Sequence, residues 1–147
     1  MNFGRQLDFN STWCYTRDMI NSARKTWRVF KTAWFARAAK KANIKDVELC
    51  EAILQVMKGQ ADDLGGGVFK KRLSRNTHRS IILARGRKYW VYTYLFAKKD
   101  RANIKDDELA AFRDLADLYA QKKDAEIAKE LGNKELIEIC HEDKIKI

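Results

Sequence analysis

The sequence predicts an α+β fold: a small, mostly antiparallel sheet with an N-terminal helical hairpin and a C-terminal helix. Three observations predict it. Two segments with three- and four-residue apolar spacing precede Gly65-Gly66-Gly67. Three short segments rich in β-branched and aromatic residues follow the glycines in close succession, and a further apolar-periodic segment follows those. Links this short join antiparallel neighbours, because a parallel pair needs a long crossover. At 147 residues the chain has room for one domain.

Residues 1–26 have no clean period. Asn10, Ser11 and Thr12 interrupt them and no signal-peptide core is present, so a loose N-terminal extension is expected, partly ordered at best. Trp27–Phe30 reads as a strand, Val29 and Phe30 having shapes that suit a sheet. Ala33–Lys41 reads as a helix that sets Trp34, Phe35, Ala38 and Ala39 against Arg37, Lys40 and Lys41. In Asp46–Lys58, Val47, Cys50, Ile53, Leu54 and Met57 form one apolar stripe. The short link 42–45 makes these two helices a hairpin, and Gly59 ends the second. The triple glycine lacks the Gly-Lys-Ser/Thr ending of a nucleotide phosphate loop and leads into a strand. It reads as a flexible turn or as a place of close backbone approach to a ligand.

Val68–Ser74, Ser80–Arg85 and Lys88–Phe96 are the strands of a meander, with a tight reversal at Arg85-Gly86-Arg87. The third is crowded with aromatics and is expected at the sheet centre, with Trp90, Tyr92, Tyr94 and Phe96 on one face by the two-residue period. Asp107–Gln121 is a helix lined by Leu109, Phe112, Leu115, Ala116 and Tyr119. A short helix over Glu126–Leu131, a last strand over Leu136–Ile139 and a frayed tail over 140–147 complete the chain, so the domain is expected over 27–139. Ala42-Asn43-Ile44-Lys45-Asp46 recurs as Ala102-Asn103-Ile104-Lys105-Asp106, each copy before a helix and followed by Glu-Leu. This is convergent helix-entry chemistry: Asn or Asp capping backbone N–H groups, Glu in the positive first turn and Ile as a staple.

Cys14, Cys50 and Cys140 are odd in number and lack metal-ligand spacing. Neither a disulfide-rich scaffold nor a zinc cluster is expected. A reducing compartment is, with Cys50 as a core side chain. The apolar runs fall far short of the roughly 20 residues a membrane helix needs. The net charge of +10 is concentrated: Val68–Arg101 holds eleven Lys and Arg against Asp100 alone. Such a window points to a polyanionic partner, nucleic acid or an acidic protein surface. Alternation along Val68–Leu73 puts Lys70 and Arg72 on the exposed side and Phe69, Lys71 and Leu73 on the other. His78, Arg79, Lys98, Lys99 and Arg101 follow on neighbouring segments that antiparallel pairing can gather on one surface. The window lacks the paired carboxylates of two-metal phosphoryl chemistry, so no metal and no cofactor are expected. Metal-free RNA cleavage needs less, because the substrate's 2′-OH is the nucleophile. The protein must move protons and stabilise charge on the phosphate, tasks for Arg, Lys and an imidazole that ordinarily titrates near ~6.5.

Several blocks resemble RelE/HigB-type toxins of bacterial type II toxin–antitoxin systems, within the RelE/ParE superfamily. They are Arg28-Val29-Phe30-Lys31-Thr32 with Trp34-Phe35, and Asp63-Leu64-Gly65-Gly66-Gly67 with Val68-Phe69-Lys70-Lys71-Arg72. Phe96-Ala97-Lys98 with Arg101-Ala102-Asn103-Ile104, Asp106-Asp107-Glu108-Leu109 and Glu135-Leu136-Ile137-Glu138 join them. The resemblance implies a RelE-like α+β fold and a metal-independent endoribonuclease (mRNA interferase) that cleaves messenger RNA on the ribosome. It implies a cytoplasmic protein, off the membrane, neutralised by a small antitoxin that often carries a helix-turn-helix part. Oligomeric state stays open.

Carried over by residue, Lys70 and Arg72 match the family's exposed basic pair, and Arg79 the phosphate-gripping arginine that opens the next strand. His78 takes the place beside it, where an aromatic is common. Lys98 matches the lysine after the central strand, and Arg101 the arginine before Ala-Asn-Ile. Arg79, Lys98 and His78 are thus the catalytic candidates; Lys70, Arg72, Lys71, Lys99 and Arg101 are the phosphate-binding ones, Arg101 more a positioning group. Two departures stand out. The Leu73–Arg79 link lacks the usual glycine-rich basic stretch, and Lys105 stands where a Ser cap is usual. The alternative reading is a non-catalytic nucleic-acid- or protein-binding module, including gyrase-poisoning or degenerate relatives.

Overall fold

A computed structural model describes residues 27–86 and 88–141. The expected N-terminal extension, the tail beyond 141 and Arg87 lie outside the described residues. The elements run β1 (Arg28–Thr32), α1 (Ala33–Lys41), α2 (Asp46–Met57), β2 (Asp62–Gly65), β3 (Val68–Leu73), β4 (His78–Arg85), β5 (Tyr89–Ala97), α3 (Asp106–Gln121), α4 (Asp124–Gly132) and β6 (Leu136–Ile139). Six strands form one mixed, mostly antiparallel sheet in the order β2-β3-β4-β5-β1-β6. The β3-β4-β5 meander is as read from the short links, and β5 lies inside the sheet. Two features were not read from sequence. β2 adds an edge strand before the glycines, and β1 pairs with β5 in parallel, from Arg28 opposite Tyr89 to Lys31 opposite Tyr92.

The sheet separates two apolar clusters. Val29, Leu73, Ile82, Trp90, Tyr92 and Leu95 face α1 and α2, through Phe35, Ala39, Leu49, Ile53 and Val56. Phe30, Val68, Ile81, Leu83, Val91 and Phe96 face α3 and α4, through Ala116, Tyr119 and Ile127. Burial on both faces explains why β4 reads as a continuous apolar run rather than an alternation. The expected helical hairpin needs restating: α1 packs on β5 and β1 while α2 packs on β3, so the sheet rather than the other helix is the main support of each.

A second correction concerns β5. Ile82 pairs with Tyr92 but Ile81 pairs with Tyr94, so Thr93 is an extra residue, a β-bulge, its Oγ1 donating to the Ile81 carbonyl at 3.0 Å. The bulge reverses the alternation. Trp90 and Tyr92 stay with α1 and α2, whereas Tyr94 and Phe96 pass to the α3 side instead of sharing their face.

The helix entries also differ from expectation. Lys45 and Lys105 occupy the cap positions with no side-chain capping bond, and Asp46 and Asp106 are the first helical residues. Ile44 with Leu49 and Ile104 with Leu109 form the staples, on opposite faces of the sheet. The triple glycine is the β2–β3 turn, all three residues at positive φ. A Cβ on Gly67 would stand 3.0 Å from the Ala84 carbonyl oxygen, and Arg113 donates to the Leu64 carbonyl. The close approach is to the protein's own backbone. Cys50 is more than a core side chain: it is disulfide-bonded to Cys140, with Cα atoms 5.4 Å apart, which corrects the expectation of unpaired thiols for these two.

Candidate functional site

The far ends of β3, β4 and β5 build the basic surface. Arg72 stands opposite Arg79, and Arg79 opposite Phe96, in one row across three strands. Lys70, two residues before Arg72, shares that row's face. Like charges directly opposite disfavour the sheet, so this pairing is tolerated here rather than selected for stability. Among the described residues, no carboxylate lies within ion-pair distance of Arg72, Arg79 or Lys98. Lys70 is partly tied: its Nζ donates to Asn103 Oδ1 at 3.3 Å and stands 3.7 Å from an Asp62 carboxylate oxygen.

The β3–β4 turn fixes Arg79. Ser74, Arg75 and Asn76 take φ of 54°, 54° and 72°, three left-handed residues in a row without a glycine. Glu48 of α2 accepts the Ser74 N–H, and Thr77 Oγ1 donates to the Ser74 carbonyl at 2.6 Å. Arg79 Nη1 donates to the Asn76 and His78 carbonyls at 3.1 and 3.2 Å, which holds the guanidinium against its own turn. The Lys98 N–H donates to the Thr77 carbonyl at 2.8 Å, so exposed Lys98 is anchored beside that turn.

Of the four remaining candidates, two lie on the opposite face of the sheet, Arg101 is tied up beside Phe96, and Lys99 lines a cleft. His78 pairs with Leu73 and Ala97, on the face opposite Arg79, with its Nδ1 2.9 Å from Thr77 Oγ1. Lys71 also lies on that opposite face, and its Nζ donates to the Gln60 carbonyl at 2.9 Å. Burial, then the charge of Arg72, push its pKa down. Arg101 is a positioning group. It forms a two-pronged ion pair with Glu108, donates from Nη1 to Tyr94 Oη at 3.3 Å and lies 5.5 Å from the Phe96 ring centre. The Arg101 guanidinium, then the Lys105 N–H, hold the Glu108 carboxyl down to about 2, and the hydrogen bonds to Glu108, then to Tyr94, raise Arg101 above its usual range. Lys99 is exposed and lines a cleft of about 690 Å³ together with His78, Phe96 and Arg101.

Sequence reasoning missed the other wall of that cleft: Trp34, Arg37 and Lys41 of α1, and Tyr94. The i, i+3, i+7 spacing of the α1 residues was the available signal. Trp34, on the apolar side of the helix by its spacing, is 45% exposed. Among the described residues, no three His, Cys, Asp or Glu side chains gather as metal ligands, and no helix is long and apolar enough to cross a membrane.

A family model described as the RelE toxin of the RelE / RelB toxin-antitoxin system matches residues 27–139. No curated protein and no solved structure matches the chain.

Proposed function

Since the chain belongs to the RelE toxin family, we propose that it is a metal-independent endoribonuclease that cleaves mRNA on the ribosome. The observation that carries this reading is the cationic row: Arg72 and Arg79 opposite each other, Lys70 on the same face and Lys98 anchored beside the turn. Guanidinium and ammonium groups there suit a phosphate whose negative charge grows as it is attacked. In the proposed step the 2′-oxygen of one nucleotide attacks its own 3′-phosphorus and loses its proton. The P–O5′ bond breaks, and the leaving 5′-oxygen takes up a proton, leaving a 2′,3′-cyclic phosphate. Lys70 and Arg72 hold the phosphate, while Arg79 and Lys98 stabilise the charge of the transition state. His78, next to Arg79 in the chain, faces the other side of the sheet from this phosphate and is given no proton-transfer role in the proposed step.

The proposed unit of activity is 27–139, of the HigB-like branch, acting in the cytoplasm where messages are translated. A small antitoxin with a helix-turn-helix part would cover the basic face with an acidic segment. Induction in cells with mapping of RNA 5′ ends tests this. New ends within translated codons are expected, falling at least about a hundredfold in Arg79→Ala. Growth arrest without new ends would overturn the nuclease in favour of a non-catalytic toxin.

A further inference from the structure

We propose that the cleft between α1 and the free edge of β5 takes an unstacked nucleobase of single-stranded RNA, with Trp34 as the stacking surface and Arg37, Lys41 and Lys99 around it for the flanking phosphates. The identity of the RNA as a substrate rests on the ribonuclease reading; the binding itself does not.

The cleft exists for a topological reason. β1 pairs with β5 only as far as Tyr92, after which the chain turns into α1. Among the described residues, Thr93–Ala97 therefore has no strand partner on that side, and the gap of about 690 Å³ opens there. That volume falls within the range of about 300–1,000 Å³ typical of small-ligand sites.

Its aromatic wall is rigid. Trp34 stacks on Tyr94 with ring centres 5.0 Å apart and planes 25° from parallel. Tyr94 is itself held by Phe96 and Phe112, each with ring centres 5.9 Å away, and by the Arg101 hydrogen bond to its hydroxyl. A fixed ring pair that leaves the indole half exposed is preorganised for a further flat ring, and a base of any sequence has such a face. The rim supplies the charge. Arg37 and Lys41 lie one turn apart on α1, both exposed, and Lys99 stands on the opposite side, with Asp100 as the one acid among the described residues of the lining. Cations around a stacked aromatic pair match a base with phosphates on either side, whereas an apolar peptide would leave these charges unpaired. The cleft adjoins the cationic row at β5, where Phe96 lines the one and is the register partner of Arg79 in the other.

The test uses the purified full chain and a short RNA oligonucleotide blocked against cleavage by 2′-O-methylation. RNA should quench the emission component that is lost in Trp34→Phe. Trp34→Ala should weaken binding roughly ten- to a hundredfold, with Trp34→Phe retaining most of the affinity. One abasic position in the oligonucleotide should weaken binding to the parent protein by a similar factor and leave Trp34→Ala unaffected. Equal affinity of Trp34→Ala and parent, or an abasic penalty of the same size in both, overturns the proposal. Should Trp34→Ala fail to fold, the exposed pair Arg37→Glu and Lys41→Glu serves instead: loss of RNA binding supports the site and unchanged binding overturns it. The two readings fail separately. Trp34-dependent binding in a protein that cuts no message leaves the base site standing and removes the nuclease. Messages cut by parent and Trp34→Ala at equal rates, with equal RNA affinity, do the reverse.

Discussion

Arg75 shows how a glycine-poor turn is built and what it costs. The link between β3 and β4 is Ser74-Arg75-Asn76-Thr77, without a glycine, and still adopts three left-handed residues. Outside glycine, such a conformation costs on the order of 1 kcal/mol, and Asn tolerates it better than Ser or Arg. Arg75→Gly should therefore stabilise the protein by roughly 0.5 kcal/mol, the relief of strain exceeding the extra freedom glycine gives the unfolded chain. A higher urea midpoint at unchanged slope would show it, and an equal or lower midpoint would refute it. The same scale sets a limit on reading the site from sequence. The alternation of Lys70, Lys71 and Arg72 was legible because β3 is a regular strand. The faces of Tyr94 and Phe96 were not, because one inserted residue, Thr93, leaves no trace in an apolar run while reversing everything after it.

At the scale of elements, the repeated Ala-Asn-Ile-Lys-Asp entry shows one local sequence serving two tertiary ends. Its isoleucines staple both helices as expected, but the glutamates diverge: Glu48 reaches out to the Ser74 N–H of the β3–β4 turn, whereas Glu108 turns back to the Lys105 N–H at 2.7 Å and binds Arg101. Helix boundaries were legible because periodicity and glycine mark them. The use of each glutamate was not, since that depends on what lies across the sheet. The Glu108 pair carries a pH dependence of defined sign. Its folded carboxyl lies near about 2, below the ordinary 4.5, so its contribution is complete above pH 4.5 and disappears as pH falls towards 2. The pair is partly exposed, so salt should weaken it to some extent. Carboxyl-carbon NMR should give Glu108 a midpoint near 2 in the parent protein and one closer to 4.5 in Arg101→Ala. A parent midpoint near 4.5 would remove Arg101 from the support of Tyr94.

Across the whole molecule, charge and topology divide the work. The basic window supplies the three strands whose ends carry the cationic row, while α3 and α4, from the more acidic C-terminal part, cover the face below it. The charge division was legible from composition. The insertion of β1 between β5 and β6 was not, because no local pattern tells a strand which distant neighbour to join. The sheet is open, and among the described residues its last strand, β6, is an edge strand paired only with β1. The Cys50–Cys140 bond joins α2 to the chain just beyond β6, across a sequence separation of 90, and so ties this edge to α2. In the chain-entropy picture, a cross-link closing a loop of that length restricts the unfolded chain by about 4.6 kcal/mol. In a Cys14→Ser background, the oxidised protein should therefore melt well above the reduced one, and Cys50→Ser should abolish the difference. Non-reducing peptide mapping should recover the 50–140 pair. Two free thiols after mild oxidation, or equal melting temperatures with and without reductant, would show that β6 is held by its strand pairing and apolar contacts without help from sulfur.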